Sequence, residues 1–138
     1  MQQALSVQAP DVDVVLVSPL MRTLQTADIM YPDTATIALE CLKEIPQHTE
    51  ICNRRSSLSL ISQLFPKVDF SMITEEDQTW PGHISNAVRK NQLQVFVDSI
   101  PQERVALVTH SSWLKYYMTE STEPEPELKH CFAYNLAP

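Results

Sequence analysis

The chain has 138 residues, of which 43% are hydrophobic and 20% charged, which is enough apolar material for the core of one domain. Its net charge of −7 disfavours nonspecific nucleic-acid binding, although a small basic pocket is compatible with it. The three cysteines lack paired or zinc-ligand spacing, which predicts a reduced, intracellular protein. No apolar run approaches the roughly 18 residues of a membrane span, and the start lacks the blocks of a secretory signal. We therefore expect a cytoplasmic or nuclear location, with no membrane, nucleic acid, metal or cofactor bound.

The first half of the chain predicts alternating strands and helices. After a frayed segment at 1–11, the apolar residues 12–17 predict a buried parallel strand. The helical spacing of Leu20, Leu24 and Ala27 predicts a helix that Pro32 ends. A short strand, a loop, a short helix and an irregular surface segment are then predicted at residues 36–39, 40–56, 57–64 and 66–83.

The second half contains the clearest helix of the sequence, over residues 85–100. Leu93, Phe96, Val97 and Ile100 form its apolar stripe, and Pro101 ends it. A strand, a helix, an acidic proline-rich loop and a final strand are predicted at residues 105–109, 111–118, 121–127 and 131–136. Strands that alternate with helices predict a three-layer α/β/α sandwich with a mainly parallel sheet.

Two junctions between a strand and a helix carry residues suited to binding a phosphate. In VVLVSPLMRTLQTA (14–27), Arg22 lies near the start of a helix, where the helix dipole favours negative charge. The positive charge of Arg22 is therefore unfavourable there, unless an anion lies between Arg22 and the free N–H groups of that turn. In VALVTHSSWL (105–114), a second strand ends at His110 and serines open the next helix. Because ligands bind at the carboxyl ends of parallel strands, Ser18, Arg22 and His110 are predicted to form one anion pocket.

Several segments resemble the histidine phosphatase (phosphoglycerate mutase-like) superfamily. SPLMRTLQTA (18–27) looks like its SPL-x-RT-x-QTA segment, and VALVTHSSWL looks like its second histidine segment. LKEIPQHTEICNRRSS (42–57) is similar to the stretch that carries the family's acidic residue, and LFPKVDFSMITEEDQTW (64–80) to the phosphatase-branch insert. The resemblance covers most of residues 10–138 and implies a phosphoglycerate mutase-like fold.

The resemblance also implies roles for individual residues. Arg22 would bind the phosphate together with Ser18, and its planar fork suits phosphate oxygens. His110 would help to hold the transferring phosphoryl group. The acid that protonates the leaving alcohol would be Glu44, with Glu40 and Glu50 as competing assignments.

The sequence departs from the family at the nucleophile. None of its four histidines lies in the Arg-His-Gly motif that carries the family's nucleophile. We interpret residues 1–138 as one partial domain of a truncated member, without the first strand. One hypothesis is a catalytically impaired protein that binds a phosphate-containing small molecule or a phosphoprotein. The alternatives are a fragment or isoform of an active phosphomonoesterase, and a non-catalytic interaction module that self-associates through an exposed sheet edge.

Four further features have simpler interpretations. Arg54 and Arg55 are expected to be a solvated pair, and the acidic residues 75–77 a solvated face. Trp113 is expected in the core, whereas Trp80 is expected to cover the pocket from the insert.

Overall fold

The computed structural model describes residues 9–46, 51–77, 84–130 and 133–136. These residues form four strands and four α-helices: β1 (Val14–Val17), α1 (Met21–Met30), β2 (Thr36–Ala38), α2 (Leu58–Leu64), β3 (Val68–Asp69), α3 (Asn86–Ser99), β4 (Val105–Val108) and α4 (Ser111–Thr119). Two 3-10 turns, Glu40–Leu42 and Ile51–Asn53, lie in the segment for which only a loop was predicted. Trp80 lies outside the described residues.

The described strands form a single parallel sheet in the order β3-β2-β1-β4. In register, Val14 lies opposite Val105 and Val17 opposite Val108. All of β1 is buried, as expected of a strand that is covered on both faces. The sheet therefore brings the carboxyl ends of β1 and β4 side by side.

Helices cover both faces of the sheet. On one face, Val15 and Val17 pack in a core with Leu24 of α1 and Ile61 of α2. On the other face, Val14 and Leu16 pack in a core with Leu93 of α3 and Trp113 of α4; those four side chains are fully buried. The three-layer α/β/α sandwich with a parallel sheet is thus confirmed, as is the core position of Trp113.

Local sequence explains where the long helices begin and end. The Ser85 side chain accepts a hydrogen bond from the Val88 N–H at 3.2 Å and so caps the start of α3. Helix α1 ends at Met30, with Tyr31 as its C-cap before Pro32. These bounds agree with the predicted helices to within a residue or two.

The structure differs from the prediction at one strand that was not expected and at one that was. The surface segment 66–83 contains β3, whose two residues pair with Thr36 and Ile37 of β2. A two-residue strand has no periodicity of its own, and it forms because β2 offers an open edge. Of the predicted strand 131–136, the described residues 133–136 form no regular element.

Among the described residues, no helix is both long and apolar enough to cross a bilayer.

Candidate functional site

The centre of the site is a contact between Ser18 and His110. Each follows the carboxyl end of its strand, and the Ser18 N–H donates to the Val108 carbonyl at 3.0 Å, which ties the two strand ends together. The Ser18 Oγ lies 2.8 Å from His110 Nε2. Ser18 is 0% and His110 7% exposed. The structure thus brings together the two junctions that the sequence singled out.

His110 is surrounded by positive charge. Burial, together with the charges of Arg22, Arg89 and Lys43, lowers the pKa of His110 to about 3. At neutral pH the imidazole is therefore uncharged. It shares one hydrogen bond with Ser18 and can offer a nitrogen either as donor or as acceptor, according to its tautomer.

Arg22 is exposed in the first turn of α1. Its guanidinium donates to the Cys52 carbonyl at 2.9 Å and to Asn53 Oδ1 at 3.1 Å. Asn53 is buried and donates in turn to the Pro46 carbonyl at 2.9 Å. These bonds orient the guanidinium and use only part of its five N–H groups.

The start of α1 has no capping group. Its N-cap residue, Leu20, makes no side-chain cap bond, and the first turn contains no acidic residue. Within the described residues, the free N–H groups of that turn therefore lie beside the Arg22 cation without a capping carboxylate.

The start of α4 is capped differently from the prediction. Its N-cap residue is His110, which makes no side-chain cap bond, so the predicted serine cap is wrong. The Glu44 carboxylate instead accepts from the Trp113 N–H at 2.9 Å and the Ser112 N–H at 3.4 Å. A carboxylate satisfies these donors and also suits the positive end of the helix dipole. This cap brings Glu44 to the same helix start as His110.

Glu40, one of the two competing acids, has a different partner. Glu40 forms an ion pair with Arg55, and Glu50 lies outside the described residues. Burial raises the pKa of Glu40, and the Arg55 charge opposes that effect. Of the described candidates, Glu44 is the one bonded to the helix that His110 begins.

A buried polar network corrects two predictions. Arg55 is buried and donates to the carbonyls of Thr74, Glu75 and Glu76. The prediction of a solvated arginine pair is therefore wrong for Arg55, whereas its neighbour Arg54 is exposed. Asp77 is also buried, where it accepts from the Arg55 N–H at 3.1 Å and forms an ion pair with fully buried Lys43. The solvated face predicted for 75–77 is therefore wrong at Asp77. Such burial depends on distant partners that the local sequence does not reveal.

Arg89 is a residue of the site that the sequence analysis missed. It is 1% exposed, and its guanidinium lies over the Trp113 ring with Cζ 4.4 Å from the centroid. It donates to the Lys43 carbonyl, and burial lowers its pKa to about 10. One signal was available, because Arg89 precedes Leu93 by four residues and so shares the apolar face of α3.

A cavity of about 360 Å³ lies beside the start of α4. Ser111, Ser112 and Ile45 line it together with residues of the acidic loop 121–128. Lys115 also lines it, is buried, and donates to the Glu123 carbonyl. The volume is sufficient for a small organic group.

The fold and the strand-end pair define an α/β sandwich with its candidate site at the carboxyl edge of a parallel sheet. The chain is 29% identical over 154 aligned positions to phosphoglycerate mutase-like protein 1 of Arabidopsis thaliana, which covers 86% of this chain and 55% of that protein. It is 35% identical over 69 positions to phosphoglycerate mutase-like protein 2 of the same plant, which covers 46% of this chain and 20% of the relative. The chain is therefore related to the phosphoglycerate mutase-like proteins of the histidine phosphatase superfamily.

The chain spans about half the length of the first of these relatives and about a fifth of the second. No family model and no solved structure matches it.

Proposed function

We propose that this chain binds a phosphate monoester between Ser18, Arg22 and His110. The observation that carries the proposal is the 2.8 Å contact of Ser18 with His110 beside the uncapped start of α1. A neutral imidazole, a hydroxyl, a guanidinium and free backbone N–H groups are all groups that bind phosphate oxygens.

The charges around the pocket support the same ligand. Lys43 has a carboxylate partner in Asp77, whereas within the described part of the chain Arg22 bonds only neutral oxygens. The start of α4 already holds the Glu44 carboxylate, whereas the start of α1 has no acidic residue in its first turn and no side-chain cap among the residues that the structure describes. A phosphate dianion at α1 would balance the excess positive charge and satisfy its N–H groups.

The position of Glu44 suggests how the rest of the ester is oriented. The phosphoryl group would lie against His110, and the Glu44 carboxylate, at the same helix start, would lie toward the alcohol portion, where the resemblance places the family's acid. The cavity beyond Ser111 and Ser112 would accept the alcohol portion.

The 138-residue polypeptide is proposed to bind the ester without turning it over. Covalent phosphoryl transfer needs a nucleophile, and the sequence contains no Arg-His-Gly motif. His110 is already bonded to Ser18, and its attack on phosphorus would remove it from the phosphoryl-holding role proposed for it.

Ligand-induced stabilisation tests the proposal. Inorganic phosphate and vanadate are added to the wild type, to Arg22→Ala and to Arg54→Ala, and the melting temperature is measured. Arg54 is an exposed arginine of the neighbouring loop, so its variant matches the change in charge. We expect both anions to raise the melting temperature of the wild type and of Arg54→Ala, with no increase in Arg22→Ala.

A parallel assay uses an aryl phosphate with EDTA present. No turnover is expected from the 138-residue polypeptide. Turnover that disappears in Arg22→Ala would contradict the impaired function, and equal stabilisation of all three proteins would contradict the site.

A second candidate function is self-association through β4, whose outer edge is open in the sheet that the described residues form. The other edge strand, β3, has two residues and an exposed Asp69, features that discourage pairing. Strand β4 has four apolar residues, of which Val105, Ala106 and Leu107 are only half-buried. Successive residues of a strand direct their backbone N–H and C=O groups to opposite sides. The carbonyls of Arg104 and Val108 accept hydrogen bonds from the β1 side. Leu107, one residue before Val108, therefore directs its N–H to the outer edge.

Light scattering during size-exclusion chromatography tests this second function. A second copy paired at β4 predicts a dimer whose fraction rises with concentration. Leu107→Pro should abolish that dimer because it removes an outward N–H. A wild type that remains monomeric at every concentration would exclude it.

A further inference from the structure

Arg89 joins the two segments that hold Glu44 in place. On one side, its guanidinium donates to the carbonyl of Lys43, the residue immediately before Glu44. On the other side, it lies over the ring of Trp113, whose backbone N–H donates to the Glu44 carboxylate at 2.9 Å. One side chain of α3 therefore contacts both the chain that carries Glu44 and the helix that Glu44 caps.

Arg89 also lacks the ion-pair partner that the buried side chains of Lys43 and Arg55 have. Lys43 pairs with Asp77 and Arg55 pairs with Glu40. Within the described segments, no carboxylate oxygen lies within 4.0 Å of the Arg89 guanidinium, and its Nε and Nη1 have no hydrogen-bond partner. A buried cation without a carboxylate is costly, and its positive potential is weakly screened by water.

We propose that Arg89 is a positioning residue of the phosphate pocket, which supplies positive potential at His110 and ties the Glu44 segment to the start of α4. The proposal rests on the phosphate-binding function inferred above. Arg89 touches neither Ser18 nor Arg22 by hydrogen bond, so it acts through the groups around it.

The neighbouring charges define what the Arg89 charge can change. Arg22 from α1, Lys43 from the segment after β2 and Arg89 from α3 are the charges that act on His110. Cys41, Glu44 and Glu40 are in turn the titratable groups that act on Arg89. Because Lys43 is paired with Asp77, loss of the Arg89 charge removes the cation that, of these two, forms no ion pair within the described segments.

Nuclear magnetic resonance provides the test, with His110 as the reporter. The ring resonances of His110 are titrated in the wild type, in Arg89→Met and in Arg89→Lys. Lys90→Met is the matched control because Lys90 follows directly on α3 but pairs with Glu120 at the surface. Binding of inorganic phosphate to the same four proteins is measured by calorimetry.

We expect the pKa of His110 to move up toward its ordinary value of 6.5 in Arg89→Met and to stay low in Arg89→Lys and Lys90→Met. Phosphate affinity should fall roughly tenfold in Arg89→Met, with little change in Lys90→Met. A merely structural role would not make the His110 titration follow the charge at position 89.

The outcomes separate this proposal from the phosphate-binding function. An unchanged His110 titration in folded Arg89→Met overturns the role of Arg89, whatever binds. If Arg89→Met does not fold, Arg89→Lys decides, since a raised His110 pKa in that variant overturns the proposal. A wild type that binds no phosphate, with a His110 titration that still follows the charge, contradicts the binding function and leaves the potential at His110 established.

Discussion

The hydroxyl of Ser18 lies 2.8 Å from Nε2 of His110, although 92 residues separate the two along the chain. The contact exists because β1 and β4 are parallel neighbours in register, so both strands end at the same edge. The Ser18 N–H and the Val108 carbonyl close the ladder just before the two side chains meet. The site is thus a direct product of strand order.

The first prediction concerns the Ser18 hydroxyl. Ser18→Ala removes the hydrogen-bond partner of a buried imidazole nitrogen, so the free energy of unfolding should fall by about 1–3 kcal/mol. Urea denaturation at neutral pH measures the change. Ser112→Ala removes an exposed hydroxyl from the first turn of α4 and should stay within about 0.5 kcal/mol. Equal losses in the two variants would contradict a contribution from the Ser18–His110 bond.

The second prediction concerns the pH dependence of stability. Burial and the neighbouring charges of Arg22, Arg89 and Lys43 lower the pKa of His110 from 6.5 to about 3, so between these values the unfolded chain binds the proton and the folded chain does not. Stability from this group is therefore full above pH 6.5 and is lost as pH falls toward 3. The whole difference is on the order of 3–5 kcal/mol.

Denaturation at a series of pH values tests this difference. The wild type should lose stability more steeply than His110→Asn as the pH falls below 6.5. His130→Gln, which alters an exposed histidine, should follow the wild type. Parallel curves for the wild type and His110→Asn would show that the His110 pKa is not depressed.

Most of the fold could be predicted from the sequence because its elements carry their own signals. The apolar residues of β1 match its complete burial, and Leu93, the first residue of the predicted stripe, is fully buried. The strand β3 could not be predicted, since its two residues gain their conformation from pairing with β2. The order of the strands likewise depends on contacts between distant segments.

The site could be predicted where a rule of topology applies, and not where burial depends on a particular partner. Ser18 and His110 each follow an apolar strand, and the carboxyl ends of parallel strands lie at the same edge of a sheet, where ligands bind. Lys43 and Asp77 are 34 positions apart, and nothing local distinguishes either residue from a solvated charge. Arg89 differs only in sharing a helix face with Leu93, which was too weak a signal beside the motifs.

The third prediction concerns Glu44 as the cap of α4. Glu44→Ala leaves the N–H groups of Ser112 and Trp113 without an acceptor, so stability should fall by about 1–2 kcal/mol. Glu44→Gln keeps an acceptor oxygen and should lose less. Hydrogen exchange at the Ser112 and Trp113 amides should accelerate in Glu44→Ala.

A surface glutamate provides the control for the helix cap. Glu103→Ala alters an exposed glutamate ahead of β4 and should leave amide exchange in α4 unchanged. Wild-type exchange rates at Ser112 and Trp113 in Glu44→Ala would contradict the cap.

The fourth prediction concerns the buried ion pair of Lys43 with Asp77. Asp77→Leu removes the carboxylate that Lys43 and the Arg55 N–H share, and should cost about 3–5 kcal/mol because a buried cation loses its counter-charge. Burial already lowers the pKa of Lys43, and the Asp77 carboxylate opposes that effect. The double variant Lys43→Met, Asp77→Leu should recover part of the loss.

Urea denaturation measures the stability of both variants, with Glu76→Gln as an exposed control. A double variant as unstable as Asp77→Leu would mean that the Arg55 N–H, and not the ammonium of Lys43, accounts for the cost.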